Sequence, residues 1–240
     1  MKNNSKNKGF SLIELSVVLA VISIALGSGL LTFNKYSEQG KVQETRDKMR
    51  YITHAILNYA RANNSLPCPA DGTLTNQDEE LGIGDTDAAC ASANLDYGTG
   101  EDQVFTGMLP IVNLGLSPSL ALDAWGNRFT YAIAASEVTS LSTPAISGDT
   151  LFVRVCSGSQ YMRNIAGFLL SHGENGYGAW PGRGGSRKST TGATTAEIRN
   201  ATPSSSCAYN IPEFAGSDDI IFPISRAQLT QDSLGLLYDD

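Results

Sequence analysis

Proline is missing from the first 66 residues of this 240-residue chain and first appears at Pro67, so no ring interrupts a helix anywhere in that stretch. Charge is almost missing from part of it: between Phe10 and Phe33 the only ionisable side chain is Glu14. Histidine is scarce, represented by His54 and His172 alone, and no HExxH helix, GxSxG turn or Cys–His cluster occurs, which leaves hydrolytic and metal-dependent catalysis without its usual parts. The segment GRGGSRKS (182–189) ends in the Lys-Ser of a phosphate loop, but Arg187 stands where the second glycine is required. An enzyme is therefore not expected. Basic charge is also short. Without Lys2, Lys6 and Lys8 the 17 Lys and Arg fall to 14 against 24 Asp and Glu, a net charge near −10. That balance disfavours general nucleic-acid binding, which needs cationic side chains to displace counterions from phosphates.

What is present describes one globular body with an appendage. Apolar residues make up 41% of the chain and charged ones 17%, with 24 glycines, a composition that fits a folded, loop-rich domain. The four cysteines, Cys68, Cys90, Cys156 and Cys207, all follow the hydrophobic segment and none is in CxxC spacing. In an oxidising compartment they read as two disulfides with three connectivities, of which the sequence-adjacent pairs Cys68–Cys90 and Cys156–Cys207 are favoured, free buried thiols being the alternative.

The N-terminal nine residues, MKNNSKNKG, are polar and basic and run directly into FSLIELSVVLAVISIALGSGLLTF. About 20 apolar residues in a helix cover the roughly 30 Å hydrocarbon core of a bilayer. Basic residues ahead of it predict a cytoplasmic N-terminus and an exported body. No small-residue cleavage site follows the apolar run as in an ordinary signal peptide, so the junction at Gly9 points to a cut before the helix. Glu14 is then the anomaly. A carboxylate in a membrane helix costs about 3 kcal/mol unless it finds a partner, and cleavage after Gly9 creates one, the α-amino group of Phe10 on a neighbouring subunit. A Glu at headgroup level on a plain anchor is the alternative.

GFSLIEL followed by an apolar helix resembles the class III signal of type IV prepilins and of type II secretion pseudopilins. The resemblance implies that a membrane prepilin peptidase cuts after Gly9 and methylates Phe10, and that Glu14 serves assembly. It further implies a subunit held first in the inner membrane, single-pass with a periplasmic body, and then in a periplasmic or cell-surface filament, with other pilin-like subunits and an inner-membrane assembly platform as partners.

Val42, Met49, Ile52, Ile56 and Tyr59 recur at the spacing of one helix face, which carries the predicted helix on to about Asn63, with Gly27 and Gly29 as weak points of about 1 kcal/mol each. Asn63, Asn64 and Ser65 before Pro67 end it. The chain thus divides into a leader (1–9), a hydrophobic helix (10–33), its amphipathic continuation (34–63) and a globular exported domain (64–240). The acidic stretch 70–105 reads as a long loop held by Cys68 and Cys90. Strands are predicted at 129–134, 151–156 and 167–170, so the expected fold class is α+β, a long helix packed on a small antiparallel sheet.

LDAWGNRFTYAI (122–133) is similar to a turn and strand of major pseudopilins, and LSHGENGYGA (170–179) with SDDIIF (217–222) resembles their C-terminal loop, where some members bind calcium. The resemblance places candidate oxygen ligands at Ser171, Asp218 and Asp219; a solvated loop without an ion is the other reading, so no cofactor is certain and calcium is the one to test. The functional expectation is a structural subunit, a minor pilin or pseudopilin. The alternative is a binding module at a filament tip, an adhesin or ligand-binding minor pilin using the loops at 70–105 and 173–215.

Overall fold

The computed structural model describes residues 11–85, 90, 95–97, 104–139, 155–157, 160–162, 165–201, 209–210 and 217–230, with backbone alone at 24–35, 95–97, 136, 139, 155–157, 160–162, 209–210 and 230. The chain divides into two compact units, Met1–Gln43 and Glu44–Asp240. One helix, α1 (Leu12–Asn63), runs through that boundary without a break at Gly27 or Gly29. It stops where turn chemistry predicts: Asn64 takes a left-handed φ of 53°, a position Asn tolerates at a helix end, and Pro67 follows.

In the second unit, α1 buries a stripe made of Thr45, Met49, Ile52, Thr53, Ile56, Leu57 and Ala60, the i, i+3, i+4 spacing of one helix face. Of the expected stripe, Met49, Ile52 and Ile56 are fully buried, while Val42 and Tyr59 are only half-buried. Outside that stripe lie the i, i+3 and i, i+4 ion pairs Arg50–Asp47 and Lys48–Glu44.

The body is built on a five-stranded sheet made of β1 (Leu95–Tyr97), β2 (Val104–Met108), β3 (Thr130–Ala134), β6 (Ile165–Ser171) and β8 (Ile220–Ser225), in that spatial order and antiparallel throughout. A smaller sheet joins β4 (Val155–Ser157) antiparallel to β5 (Gln160–Met162) and parallel to β7 (Tyr209–Asn210). The architecture is α+β, as the sequence predicts. One expectation shifts: the stretch 70–105 is not all loop, because β1 and the start of β2 lie in it. Of the strand expected at 151–156, Val155 and Cys156 lie on β4, and 151–154 lie outside the described residues. Pro223 hides β8 from a strand reading, yet it sits where proline is tolerated, on the edge strand of the sheet.

β2, β3 and β6 are buried on both faces, which is why they lack polar alternation. One face contributes Val104, Ala132, Ala134, Phe168 and Leu170 to a single apolar cluster with Ile165. Cys68 and Cys90 are joined by a disulfide, with Cα atoms 5.3 Å apart. Beside it, Ala70 exchanges backbone hydrogen bonds with Met108 at 2.9 and 2.7 Å, so the chain leaving α1 is fastened to the end of β2. Cys156 lies on β4, and Cys207 lies outside the described residues.

Candidate functional site

Gly9 and Phe10 lie outside the described residues. Glu14 stands in the first turn of α1, where a negative charge complements the helix dipole. Around it Leu12, Ile13, Leu15, Val17, Val18, Leu19, Val21 and Ile22 are all exposed. Apolar side chains on every side of a helix mark a segment whose burial comes from other molecules. Ser16 and Ser23 suit that fate, because Ser16 donates to the Ile13 carbonyl at 2.8 Å and Ser23 to the Leu19 carbonyl at 2.7 Å, so neither of these hydroxyls is desolvated unpaired. Among the described residues no helix is long and apolar enough to cross a membrane; the apolar run continues to Phe33, through positions where the backbone alone is described.

A second site lies within the second unit. In LDAWGNR, the Asp123 carboxylate accepts the backbone N–H groups of Trp125 at 3.0 Å and Asn127 at 2.8 Å, and Gly126 takes the left-handed φ of 81° that a tight turn requires. Two α1 residues hold this turn: Lys48 Nζ donates to the Leu122 carbonyl at 3.3 Å, and Thr45 Oγ1 accepts from the Ala124 N–H at 3.2 Å. The turn in turn holds the glycine-rich loop after β6, since Ser171 donates to Asp123 at 2.7 Å and Lys188 bridges to Asn127 at 2.6 Å.

After the short helix α2 (Ser136–Thr139), the next helix is α3 (Thr195–Ala201), which the loop brings against β7. TTAE at 194–197 is a capping box: Glu197 Oε2 accepts the Thr194 N–H at 2.6 Å and Thr194 Oγ1 accepts the Glu197 N–H at 3.3 Å. Arg187, stacked 4.3 Å from the centre of the Trp180 ring, donates to the carbonyls of Gly178 and Ala201. It thereby ties the last turn of α3 to the loop.

The result is a cluster of three carboxylates, Glu197, Asp218 and Asp219, each offering an oxygen within 4.8 Å of the others. Asn175 wedges its amide between two of them, donating at 2.6 Å to both Glu197 Oε1 and Asp218 Oδ1. Asn200 donates to Asp219 Oδ2. Gly173, with φ of 59°, lies so close to Asp218 that a side chain there would strike its carbonyl and carboxylate.

Burial, with Asp218 and Glu197 alongside, pushes the Asp219 carboxyl up to about 7. Burial and Glu197 also raise Asp218. Burial pushes Glu197 up too, but the hydrogen bonds from the Thr194 N–H and Asn175 outweigh it and hold the group below its ordinary value. Three carboxylates this close resist joint ionisation unless a cation joins them. Among the described residues no Lys or Arg pairs with any of the three; the nearest basic group is His172, with Nδ1 3.9 Å from Asp219, and burial with the Arg187 charge holds that imidazole well below its ordinary value.

Of the expected ligands, the structure brings Asp218 and Asp219 together and turns the Ser171 hydroxyl to Asp123 instead. Glu197 and Asn200 were not foreseen. The capping-box spelling TTAE was the available signal for a short helix there, but it says nothing of which carboxylates that helix meets. Calcium, a hard cation that takes carboxylate and amide oxygens, fits this donor set: two buried oxygens in it, Asp219 Oδ1 and Asn200 Oδ1, have no hydrogen-bond partner.

Residues 4–30 match the family model of the prokaryotic N-terminal methylation motif, the class III signal found in type IV pilins and pseudopilins. No curated protein and no solved structure gives a significant match. The motif supports a type IV pilin-like or pseudopilin subunit.

Proposed function

We propose that the chain is a structural subunit, a minor pilin or pseudopilin, that is cut between Gly9 and Phe10 by prepilin peptidase, methylated at Phe10 and packed through α1 into a type IV pilus or type II secretion filament. The observation that carries this reading is the start of α1, apolar on all sides and exposed, with Glu14 as its single charge, joined to the methylation motif. Such a helix exposes its apolar surface in the isolated chain at roughly 25 cal/mol per Å². Two environments remove that surface from water. The first is the inner membrane, with the body in the periplasm. The second is a bundle of like helices from neighbouring subunits, where Glu14 of one chain pairs with the Phe10 amine of the next.

The body supplies the outer surface of such an assembly. Its size and its cysteine content favour a minor subunit over a minimal major pilin. No catalytic role is assigned to any residue. The test is the mass of the chain recovered from membranes of cells with an active prepilin peptidase: wild type should lack residues 1–9 and carry one methyl group, and Gly9→Ala should retain the leader. Cleavage of Gly9→Ala at the same bond and rate, or wild type retaining its leader, would overturn the reading.

A further inference from the structure

We infer that the body carries two complementary surface patches, one at Ile83 and Val112 and the other at Tyr51 on α1, by which one copy of this chain docks head to tail on a second copy.

The first patch is held by two segments laced together. The Gly82 carbonyl accepts the Val112 N–H at 2.9 Å, and the Asn113 amide bonds both the N–H and the carbonyl of Gly84, at 2.8 and 3.0 Å. This lacing fixes Ile83 and Val112 on one ordered edge, yet leaves them 42% and 56% exposed. Single apolar side chains scattered over a surface are ordinary, whereas neighbouring ones with a polar rim mark a contact surface. The rim here is acidic. Residues 71–85 hold five Asp and Glu and no Lys or Arg, and Glu79 and Glu80, just ahead of Ile83, are exposed.

The second patch has the opposite charge. Arg46 and Arg50 lie about one turn apart on α1, outside its buried stripe, and both are exposed. Tyr51, next to Arg50, is 60% exposed. Tyrosine and arginine are the side chains that interfaces gather at their centres, since each offers a large contact area with a polar end. Arg50 meets Asp47 at 3.0 Å through Nη1, with both side chains in solvent. A guanidinium has five N–H donors, so that contact still leaves donors for an incoming carboxylate.

A second copy is the occupant because each patch offers what the other lacks. An apolar pair rimmed by carboxylates meets an aromatic ring rimmed by guanidinium groups, and complementarity of this kind fixes partner and register. The two patches share no residue, so the contact is heterologous: it repeats from copy to copy and builds a ring or an open helical array, not a two-fold pair. Exposed ion pairs are individually weak, so the patches act once copies have been gathered side by side. For that gathering alone, the inference rests on the proposed packing of α1.

The experiment is photocrosslinking in membranes of cells producing the full chain as Tyr51→p-benzoylphenylalanine, with the joined peptides identified by mass spectrometry. The expected product is a dimer joining residue 51 of one copy to the 79–84 or 111–114 segment of another. Reversing Glu79→Lys and Glu80→Lys together should lower its yield about fivefold or more, and adding Arg46→Glu and Arg50→Glu to that chain should restore about half of it. No product between copies, a product joining residue 51 to residue 51, or one joining it to another part of the body or to a different protein would each overturn the inference. So would a yield indifferent to the glutamate reversal, or one that the arginine reversal fails to restore. The mass of the chain from the same membranes reports leader removal and methylation separately. A missing product in a processed chain therefore counts against these patches and leaves the reading of the chain as a filament subunit standing.

Discussion

Ser171 and Asp123, 48 residues apart in sequence, meet side chain to side chain at 2.7 Å inside the body. Asp123 is the hub of the turn that follows Leu122, and Ser171 ends β6, so this one hydrogen bond couples the turn held by α1 to the loop that carries the carboxylate cluster. Removing the carboxylate strands the N–H groups of Trp125 and Asn127 as well as the Ser171 hydroxyl. Asp123→Ala should therefore cost about 3 kcal/mol, and Ser171→Ala about 1 kcal/mol. Urea unfolding of the two single variants and the double variant tests this: the double should cost clearly less than the two singles combined. Strict additivity would mean that the bond links nothing.

The same carboxyl has a pH signature. Burial raises the Asp123 carboxyl above its ordinary 3.8, against the hydrogen bonds from Ser171, Asn127 and Trp125 that lower it. A group whose folded value is raised contributes its full stability below the unfolded value and loses it as pH rises through the folded one. Asp123→Asn cannot ionise and lacks that loss. The melting temperature of wild type minus that of Asp123→Asn should therefore decline as pH is taken upward from about 4. A difference that grows with pH would show that the hydrogen bonds outweigh burial.

α3 depends on one close approach. Gly178 has φ of 77°, and a Cβ there would run into the Ala201 side chain at the end of the helix. Gly178→Ala should cost about 1 to 3 kcal/mol from the backbone strain alone, and the damage should appear as faster hydrogen exchange in 195–201 before it appears in the sheet. Uniformly faster exchange throughout the body would count against a local docking role.

The Cys68–Cys90 disulfide closes a loop of 22 residues between the end of α1 and the acidic stretch. Replacing both cysteines by serine should lower stability by about 3 kcal/mol on the chain-entropy account. Reducing agent should lower wild-type stability and leave the double variant's response smaller by that amount; equal responses would mean that this bond contributes nothing.

These features differ in how openly the sequence displays them. α1 was legible because 66 residues without proline and a repeating apolar stripe have one simple reading, and Asn64 with Pro67 marked its end. β3 and β6 were legible as apolar runs between turn residues. β8 was not, since Pro223 argues against a strand unless the strand is known to lie at an edge, which is a property of the whole sheet. The disulfide was legible from cysteine order once export was expected. At the cluster, Asp218 and Asp219 stood out as adjacent carboxylates, but Glu197 reaches them only because Gly178 and Arg187 let α3 dock, and docking leaves no periodic trace. Ser171 looked like a ligand by position, whereas its partner was decided by the turn at Asp123.

Glu14 offers the sharpest separation between an anchor and an assembly element. In the proposed filament, cleavage after Gly9 creates the Phe10 amine, and the only carboxylate in the apolar stretch pairs with that amine on an adjacent chain. A plain anchor gains nothing from this charge, because a carboxylate in a membrane helix costs about 3 kcal/mol. Glu14→Ala should therefore insert into membranes at least as well as wild type, be cleaved after Gly9 as before, and be lost from sheared or pulled filaments. Glu14→Gln distinguishes charge from hydrogen bonding: it keeps the shape and an acceptor oxygen but not the ion pair, so it should fail to assemble nearly as completely as Glu14→Ala. Immunoblots of membrane and filament fractions read both variants. Filaments containing Glu14→Ala at the wild-type level would sink the pairing, and poor membrane insertion of that variant would point instead to a headgroup-level role for the carboxylate.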